Sequence, residues 1–213
     1  MIIRADYRGS PHIGVFLAAN DNICFAPLGC PHDLERDIRE TLGVDVVKTS
    51  VSMTSLIGIF SALNNKTMIV PDILEKNEEK ILKDNIGELI ILDVKYTAIG
   101  NLVAMNDHGI ACSPFMKDEI KNAFPLKIAD SDLVGSSMYV NNRGFLAHRE
   151  ATDDELKEAK KIFKVDGDVG TVNFGDPYVH SGIVGNKNGV IAGSFTSGPE
   201  MNRIDDVFIL SKQ

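Results

Sequence analysis

Three cysteines and five histidines are the side chains best able to do covalent or metal chemistry in this 213-residue chain. A thiol nucleophile needs a base within hydrogen-bond reach, and the closest pairing along the chain is His108 with Cys112. On one strand, four residues at ~3.3 Å each would hold them ~13 Å apart, far beyond proton transfer. The pair therefore reads as a turn histidine and a small buried cysteine. Cys30 and His32, with Cys24 nearby, lack the paired spacing of a zinc site, so no metal is expected. His12, His148 and His180 share no partner along the chain and read as structural. Carboxylates gather at Asp153-Asp154-Glu155 and along residues 75–79, where a helix N-terminus and a solvated face account for them. Lys157, Lys160, Lys161 and Lys164 alternate with Glu155 and Glu158 as on an exposed helix face. Neither a P-loop nor a GxGxxG turn is present, so no cofactor is expected; Gly182, Gly185, Gly189 and Gly193 fall on a hairpin instead.

What recurs is asparagine. Short segments led by Asn20, Asn64, Asn106, Asn141 and Asn186 begin 44, 42, 35 and 45 residues apart. In the first four, a glycine (Gly14, Gly58, Gly100, Gly135) stands six residues ahead of the leading Asn; in the fifth, Gly182 stands four ahead, which makes that hairpin two residues shorter. Asn and Gly tolerate the positive φ of tight hairpins, so each segment is read as a hairpin tip. The tips Asn20, Asn64, Asn65, Asn106, Asp107, Asn141 and Asn142, gathered at one end by pseudo-symmetry, form the candidate recognition surface, since amides both donate and accept. On that reading Asn106→Ala should weaken binding more than folding.

The elements that hold the tips follow one order: apolar run, Asn turn, second apolar run, polar helix, third apolar run. Second strands are expected at residues 23–26, 68–70, 110–112, 145–147 and 190–192, and third strands at 46–49, 90–94, 126–129, 169–173 and 207–210, with one further strand over 2–6. Helices are expected between them. The first carries Leu34, Ile38 and Leu42 on one face, the second Ile81, Leu82 and Ile86, and the third runs from Ser113-Pro114 to Pro125. The fourth opens on the capping-box spacing Thr152/Glu155 and a shorter fifth on Ser197/Glu200. Five units, approximately 1–50, 51–94, 95–129, 130–173 and 174–213, with no polar cap at either end, imply one α/β domain closed into a ring rather than an open solenoid.

Composition agrees. With 22 Lys and Arg against 30 Asp and Glu, the net charge of −8 argues against a generic nucleic-acid binder. Hydrophobic residues at 44% and charged residues at 24% exclude disordered, collagen-like and coiled-coil chains. An odd cysteine count with no signal-peptide pattern points to reduced thiols in the cytoplasm, and no apolar run approaches the ~18 residues of a membrane span.

The segments Ala98-Ile99-Gly100-Asn101 leading to Asn106-Asp107, Leu133-Val134-Gly135-Ser136 leading to Asn142-Arg143-Gly144, Gly170-Thr171-Val172-Asn173, and Thr196-Ser197-Gly198-Pro199-Glu200 stand in an order that resembles the translation initiation factor 6 family across essentially the whole chain. The end at Gln213, without a long polar extension, resembles the archaeal form. The resemblance implies a pentein fold, a five-fold pseudosymmetric α/β ring, and no catalysis or cofactor. It implies a factor that binds the large ribosomal subunit on the face meeting the small subunit and blocks association by steric occlusion, with a role in large-subunit maturation also compatible. Its partners would be basic ribosomal proteins with an rRNA loop nearby, no membrane would be involved, and the free protein would be a monomer. Asn64, Asn65, Asn106 and Asp107 take the family's subunit-facing hairpin positions. The alternative from another class is a guanidine-modifying pentein enzyme with a Cys nucleophile. Those enzymes carry it near the C-terminus, and here no Cys follows Cys112.

Overall fold

A computed structural model describes residues 1–210 and bears out the repeat, with one rearrangement that closes it. Strand β1 (Ile2–Ala5) precedes the first unit, which consists of the helical turn α1 (Ile13–Phe16), β2 (Ala18–Ala19), β3 (Ile23–Pro27), helix α2 (His32–Leu42) and β4 (Asp45–Thr49). The second unit repeats it as α3 (Ile57–Phe60), β5 (Ala62–Leu63), β6 (Thr67–Pro71), α4 (Lys76–Asn85) and β7 (Glu88–Leu92). In the third, α5 (Ile99–Leu102), β8 (Val103–Met105) and β9 (Ile110–Cys112) lead through a short 3-10 turn at Pro114–Met116 to β10 (Ala123–Pro125). The fourth has α6 (Val134–Ser137), β11 (Met138–Val140), β12 (Phe145–His148), α7 (Asp153–Phe163) and β13 (Gly167–Gly170). The fifth has a 3-10 turn at Val179–Gly182, β14 (Ile183–Gly185), β15 (Val190–Gly193) and α8 (Gly198–Phe208).

Each unit contributes a three-stranded sheet whose middle strand pairs antiparallel with the strand before the tip and parallel with the strand after the helix. The fifth sheet takes its third strand from the other end of the chain: β1 runs parallel to β15, Ile2 opposite Val190 and Ala5 opposite Gly193. The strand expected over 207–210 is not there. Met201, Ile204, Val207 and Phe208 keep helical spacing and prolong α8, with Ile204, Val207 and Phe208 buried, so the fifth helix is as long as the first. Residues 211–213 of the fifth repeat lie outside the described residues.

The third unit also departs from expectation. Its tip and the next are only 35 residues apart, and residues 113–122 are too few for both a covering helix and a connection to the third strand. The expected helix is one 3-10 turn capped by Ser113, and β10 begins earlier than residue 126. Elsewhere third strands start one or two residues early, because they begin opposite the start of the middle strand, as with Thr67 and Glu88 or Phe145 and Gly167. Apolar residues beyond the strand ends, Ile128 and Val172, are buried in turns closed by isolated bridges to Ser131 and Asp176.

The core is divided in the same five-fold way. Buried apolar residues form five clusters, most of them shared between adjoining units: Ile23 and Phe25 of the first pack with Met68, Val70 and Leu82 of the second, and Leu34, Ile38 and Leu42 of the first pack with Val184 and Ile191 of the fifth. No unit buries its own sheet alone, which is why the module must close on itself.

Candidate functional site

The two ends of the ring are built differently. At the tip end every leading asparagine is a structural bolt. Its Oδ1 accepts the N–H groups two and three residues on, as Asn106 does from His108 (3.0 Å) and Gly109 (3.1 Å). No tip residue has positive φ, so these turns are made by side-chain acceptors and not by left-handed backbone. The Nδ2 groups link units: Asn20 donates to the Asn64 carbonyl (2.9 Å), Asn64 to Asn106 (3.1 Å), Asn106 to Asn141 (3.2 Å), and Asn186 to Asn20 (3.0 Å). Asn20 and Asn106 are consequently buried, and neither amide is free to meet a partner.

Outside this girdle lies a second one. The Asp21 N–H donates to Asn65 Oδ1, that of Asn65 to Asp107, and that of Asp107 to Asn142, at 2.9–3.0 Å. Asn65 Nδ2 bridges the Asp21 and Asp107 carboxylates, and Asn142 Nδ2 donates to Asp107. Of the candidates read from the sequence, Asp107 is exposed and Asn65 and Asn142 are half-buried. The fifth unit carries Lys187 in this girdle.

At the opposite end, loops joining one unit to the next put non-glycine residues in left-handed backbone: Ser52 and Met53, Ala129 and Asp130, Asn173 and Phe174 all have φ of 48–68°. Three of the helix-capping glutamates hold three of these loops. Glu78 accepts from the N–H groups of Ser52 (2.9 Å) and Met53 (2.8 Å) and from Ser50 Oγ (2.6 Å), and Glu200 accepts from Phe174 (3.2 Å), Gly175 (2.9 Å) and Thr171 Oγ1 (2.7 Å). Glu155 takes the Asp130 N–H at 3.4 Å. Glu78, expected on a solvated face, is buried for this reason. Burial alone would raise the carboxyls of Glu78, Glu155 and Glu200, but the hydrogen bonds together outweigh it and hold all three below the usual value of 4.5.

A folded-state value below the unfolded one stabilises the fold above about pH 4.5, and that stability is lost as pH falls through the lower folded values. Glu200→Gln should therefore lose stability at pH 7, by about 1–3 kcal/mol for the unmade bonds, and show a shallower decline below pH 4.5 than the parent. Urea denaturation at pH 7 and pH 3.5 checks both, and parallel declines would contradict the loop-holding role.

These loops present apolar side chains to solvent. Because second strands run away from the tips and third strands lie parallel to them, residues just past their C-terminal ends share the far end of the ring. Leu28, Phe115 and Phe195 follow second strands, and Met53 (77% exposed) and Phe174 (85% exposed) follow third strands. Leu133 and Tyr178, just ahead of the inner turns, are exposed at the same end. The sequence signal was there in part, since Thr152/Glu155 and Ser197/Glu200 read as capping boxes, and both are formed.

At the centre, the inner turns meet around the axis. A Cβ on Gly58 would overlap the Gly14 carbonyl oxygen, one on Gly100 that of Gly58, one on Gly135 that of Gly100, and one on Gly14 that of His180. The fifth unit's counterpart of these glycines is therefore His180, six residues ahead of Asn186, and the fifth hairpin is full length; Gly182 is not the equivalent position.

The thiols are poorly placed for nucleophilic work. Cys24, Cys30 and Cys112 are all buried, and burial pushes the Cys112 thiol up to about 11. His108 is exposed at a tip while Cys112 ends the buried strand β9. His12, read as lacking a partner, has its Nδ1 3.2 Å from Ser181 Oγ and 3.6 Å from Asp176. Serine and carboxylate meet the same ring nitrogen, so this is not the relay of a hydrolase. The lysine-bearing face of α7 is exposed and paired locally, Lys157 with Asp154 and Lys161 with Glu158. Among the described residues no cluster of three His, Cys, Asp or Glu could hold a metal, and no helix is long and apolar enough to cross a membrane.

A closed ring of five three-stranded α/β sheets, locked by side chains at one end and carrying apolar loops at the other, is a pentein. A model of the eIF-6 family matches residues 2–207. Translation initiation factor 6 of Pyrobaculum aerophilum is 35% identical, over 93% of this chain and 94% of the relative, and that of Pyrococcus abyssi is 34% identical, over 96% and 97%. The chain belongs to the eIF-6 family. The names borne by the family and these relatives are those of a translation factor and not of an enzyme. A crystal structure of a dimethylarginine dimethylaminohydrolase adduct with S-methyl-L-thiocitrulline is also similar, at a TM-score of 0.48 and 9% identity over 78% of this chain and 69% of that one, a likeness too slight to bear on function.

Proposed function

We propose that this protein is a non-enzymatic plug: it binds the large ribosomal subunit on the surface that would meet the small subunit and prevents association by occupying it. The observation that carries the reading is the far end of the ring, where Met53 and Phe174 stand in solvent on backbone that the fold strains and then holds with buried glutamates. Large apolar side chains left this exposed at one end of a ring mark a docking surface. Family membership and the relatives' shared name, translation initiation factor 6, support the ribosome as the partner.

The docking face in this proposal is the apolar loop end, and the tips are mainly girdle, with Asp107, Asn65 and Asn142 as their outward-facing part. The net charge of −8 suits basic ribosomal proteins as the main contacts, since bare rRNA phosphate would repel the ring. The factor works in the cytoplasm as a monomer. The guanidine-modifying alternative is disfavoured because the three thiols are buried and held protonated.

Sedimentation tests the proposal. The protein should migrate with isolated large subunits, and adding small subunits should then yield fewer joined particles. Migration at the top of the gradient whatever is added, or binding without any effect on joining, would refute it.

A further inference from the structure

The inner turns leave a mouth of about 230 Å³ open on the axis at the loop end, above a space of about 50 Å³ inside the ring. Each unit lends this mouth the residue that follows its inner position: Val15, Ile59, Asn101, Ser136 and Ser181. The cup is therefore two-faced, aliphatic on the side of the first two units and amide or hydroxyl on the side of the other three. Leu133 and Tyr178, 40% and 45% exposed, extend it outward as an apolar rim.

His180 lines both spaces and forms the floor between them. Its Nδ1 lies 2.7 Å from the Gly135 carbonyl oxygen, which can only accept, so in the neutral ring Nδ1 carries the proton and Nε2 keeps the lone pair. Edge-on packing against Tyr139 at 5.8 Å orients the ring. Nε2 has no partner among the described residues and is not one of the buried polar atoms. The floor thus holds out a fixed, open acceptor.

We propose that the mouth is the socket for one Tyr or Trp side chain of the ribosomal protein on which the loop end docks, with the ring of that side chain against Val15 and Ile59 and its O–H or N–H donated to His180 Nε2. The inference rests on the docking face proposed above. Size favours it: an apolar cavity of about 150 Å³ takes a benzene ring, so this mouth takes a phenol or an indole, and the smaller space beneath stops the ring at His180. Drug-sized ligands fill roughly 300–1,000 Å³, more than the mouth provides. Chemistry favours it as well. An aliphatic side chain would cover Nε2 and leave it unpaired. No Lys, Arg, Asp or Glu lines the mouth, so a carboxylate or an ammonium would lose its water without gaining a counter-charge. Tyr and Trp join an apolar body to a single donor, as the two-faced cup requires, and they are the side chains that most often anchor an interface.

Two probes and one variant test the socket. In a titration followed by the nitrogen resonances of the His180 ring, free indole should shift Nε2 and bind about 10-fold more tightly than 1-methylindole, which has no donor. The Ser136 hydroxyl has no hydrogen-bond partner among the described residues, so Ser136→Phe fills the mouth from its wall without breaking a bond. That variant should weaken association with the large subunit about 100-fold at an unchanged melting temperature. An unmoved Nε2 resonance, equal affinities for the two indoles, or full association of Ser136→Phe would overturn the socket. Met53→Asn with Phe174→Asn, which leaves the mouth intact, separates the causes. If that double variant binds weakly while Ser136→Phe binds fully, the docking face stands and the socket alone fails; if both bind fully, the docking face fails with it. Should Ser136→Phe not fold, the pair of indoles decides by itself.

Discussion

Asn106→Ala is expected to destabilise the protein by about 2–4 kcal/mol, one of the largest effects available to a single tip substitution. The side chain is 2% exposed. It makes four hydrogen bonds, two accepted within its own turn and two donated, to the Asn141 carbonyl at 3.2 Å and to the Phe163 carbonyl at 2.9 Å at the end of α7. Truncation leaves those buried backbone groups without partners, which costs more than the net worth of the bonds. Asn141→Ala is the internal control, because its Nδ2 has no partner among the described residues and only the turn bonds go. It should cost about half as much or less, roughly 1–2 kcal/mol. Urea midpoints for the two variants check the order. Equal midpoints would mean that the asparagines serve only their own turns, and would restore the sequence-based expectation that binding suffers more than folding.

The second large effect is on binding. Met53→Asn combined with Phe174→Asn should weaken association with the large subunit about 100-fold or more, since exposed apolar anchors at the centre of an interface commonly carry most of its energy. Stability should hold or rise slightly, because asparagine accepts the left-handed backbone at φ 58° and 68° better than methionine or phenylalanine does. Co-sedimentation titrations alongside thermal melts separate the two quantities. Undiminished binding with a normal melt would remove the loop end from the interface and return the tips, Asn65, Asp107 and Asn142, to first place.

The repeat was legible because turn chemistry is local: an asparagine accepting from residues two and three ahead needs nothing beyond its own segment. Capping boxes at Thr152 and Ser197 were legible for the same reason. The destination of each Asn Nδ2 was not, since its acceptor lies in another unit, 35 to 44 residues away for the first three. Ring closure was half-read. The free strand at the N-terminus was seen, but its pairing with β15 is a contact across nearly the whole chain and leaves no local mark, so an apolar helix end at Val207 was given the vacant place. His180 carries no local mark, because the other four units have glycine at its position. Only the approach of Gly14 to the His180 carbonyl marks it as the fifth member of the inner ring. The strained loops escaped notice because neither Met53 nor Phe174 is a residue whose type announces positive φ.

Imaging the protein bound to the large ribosomal subunit tests the central claim most directly. The account predicts density on the intersubunit surface with Leu28, Met53, Phe174 and Phe195 turned toward ribosomal protein and the asparagine tips turned away. Density elsewhere on the particle, or the tips lying against the subunit, would contradict it.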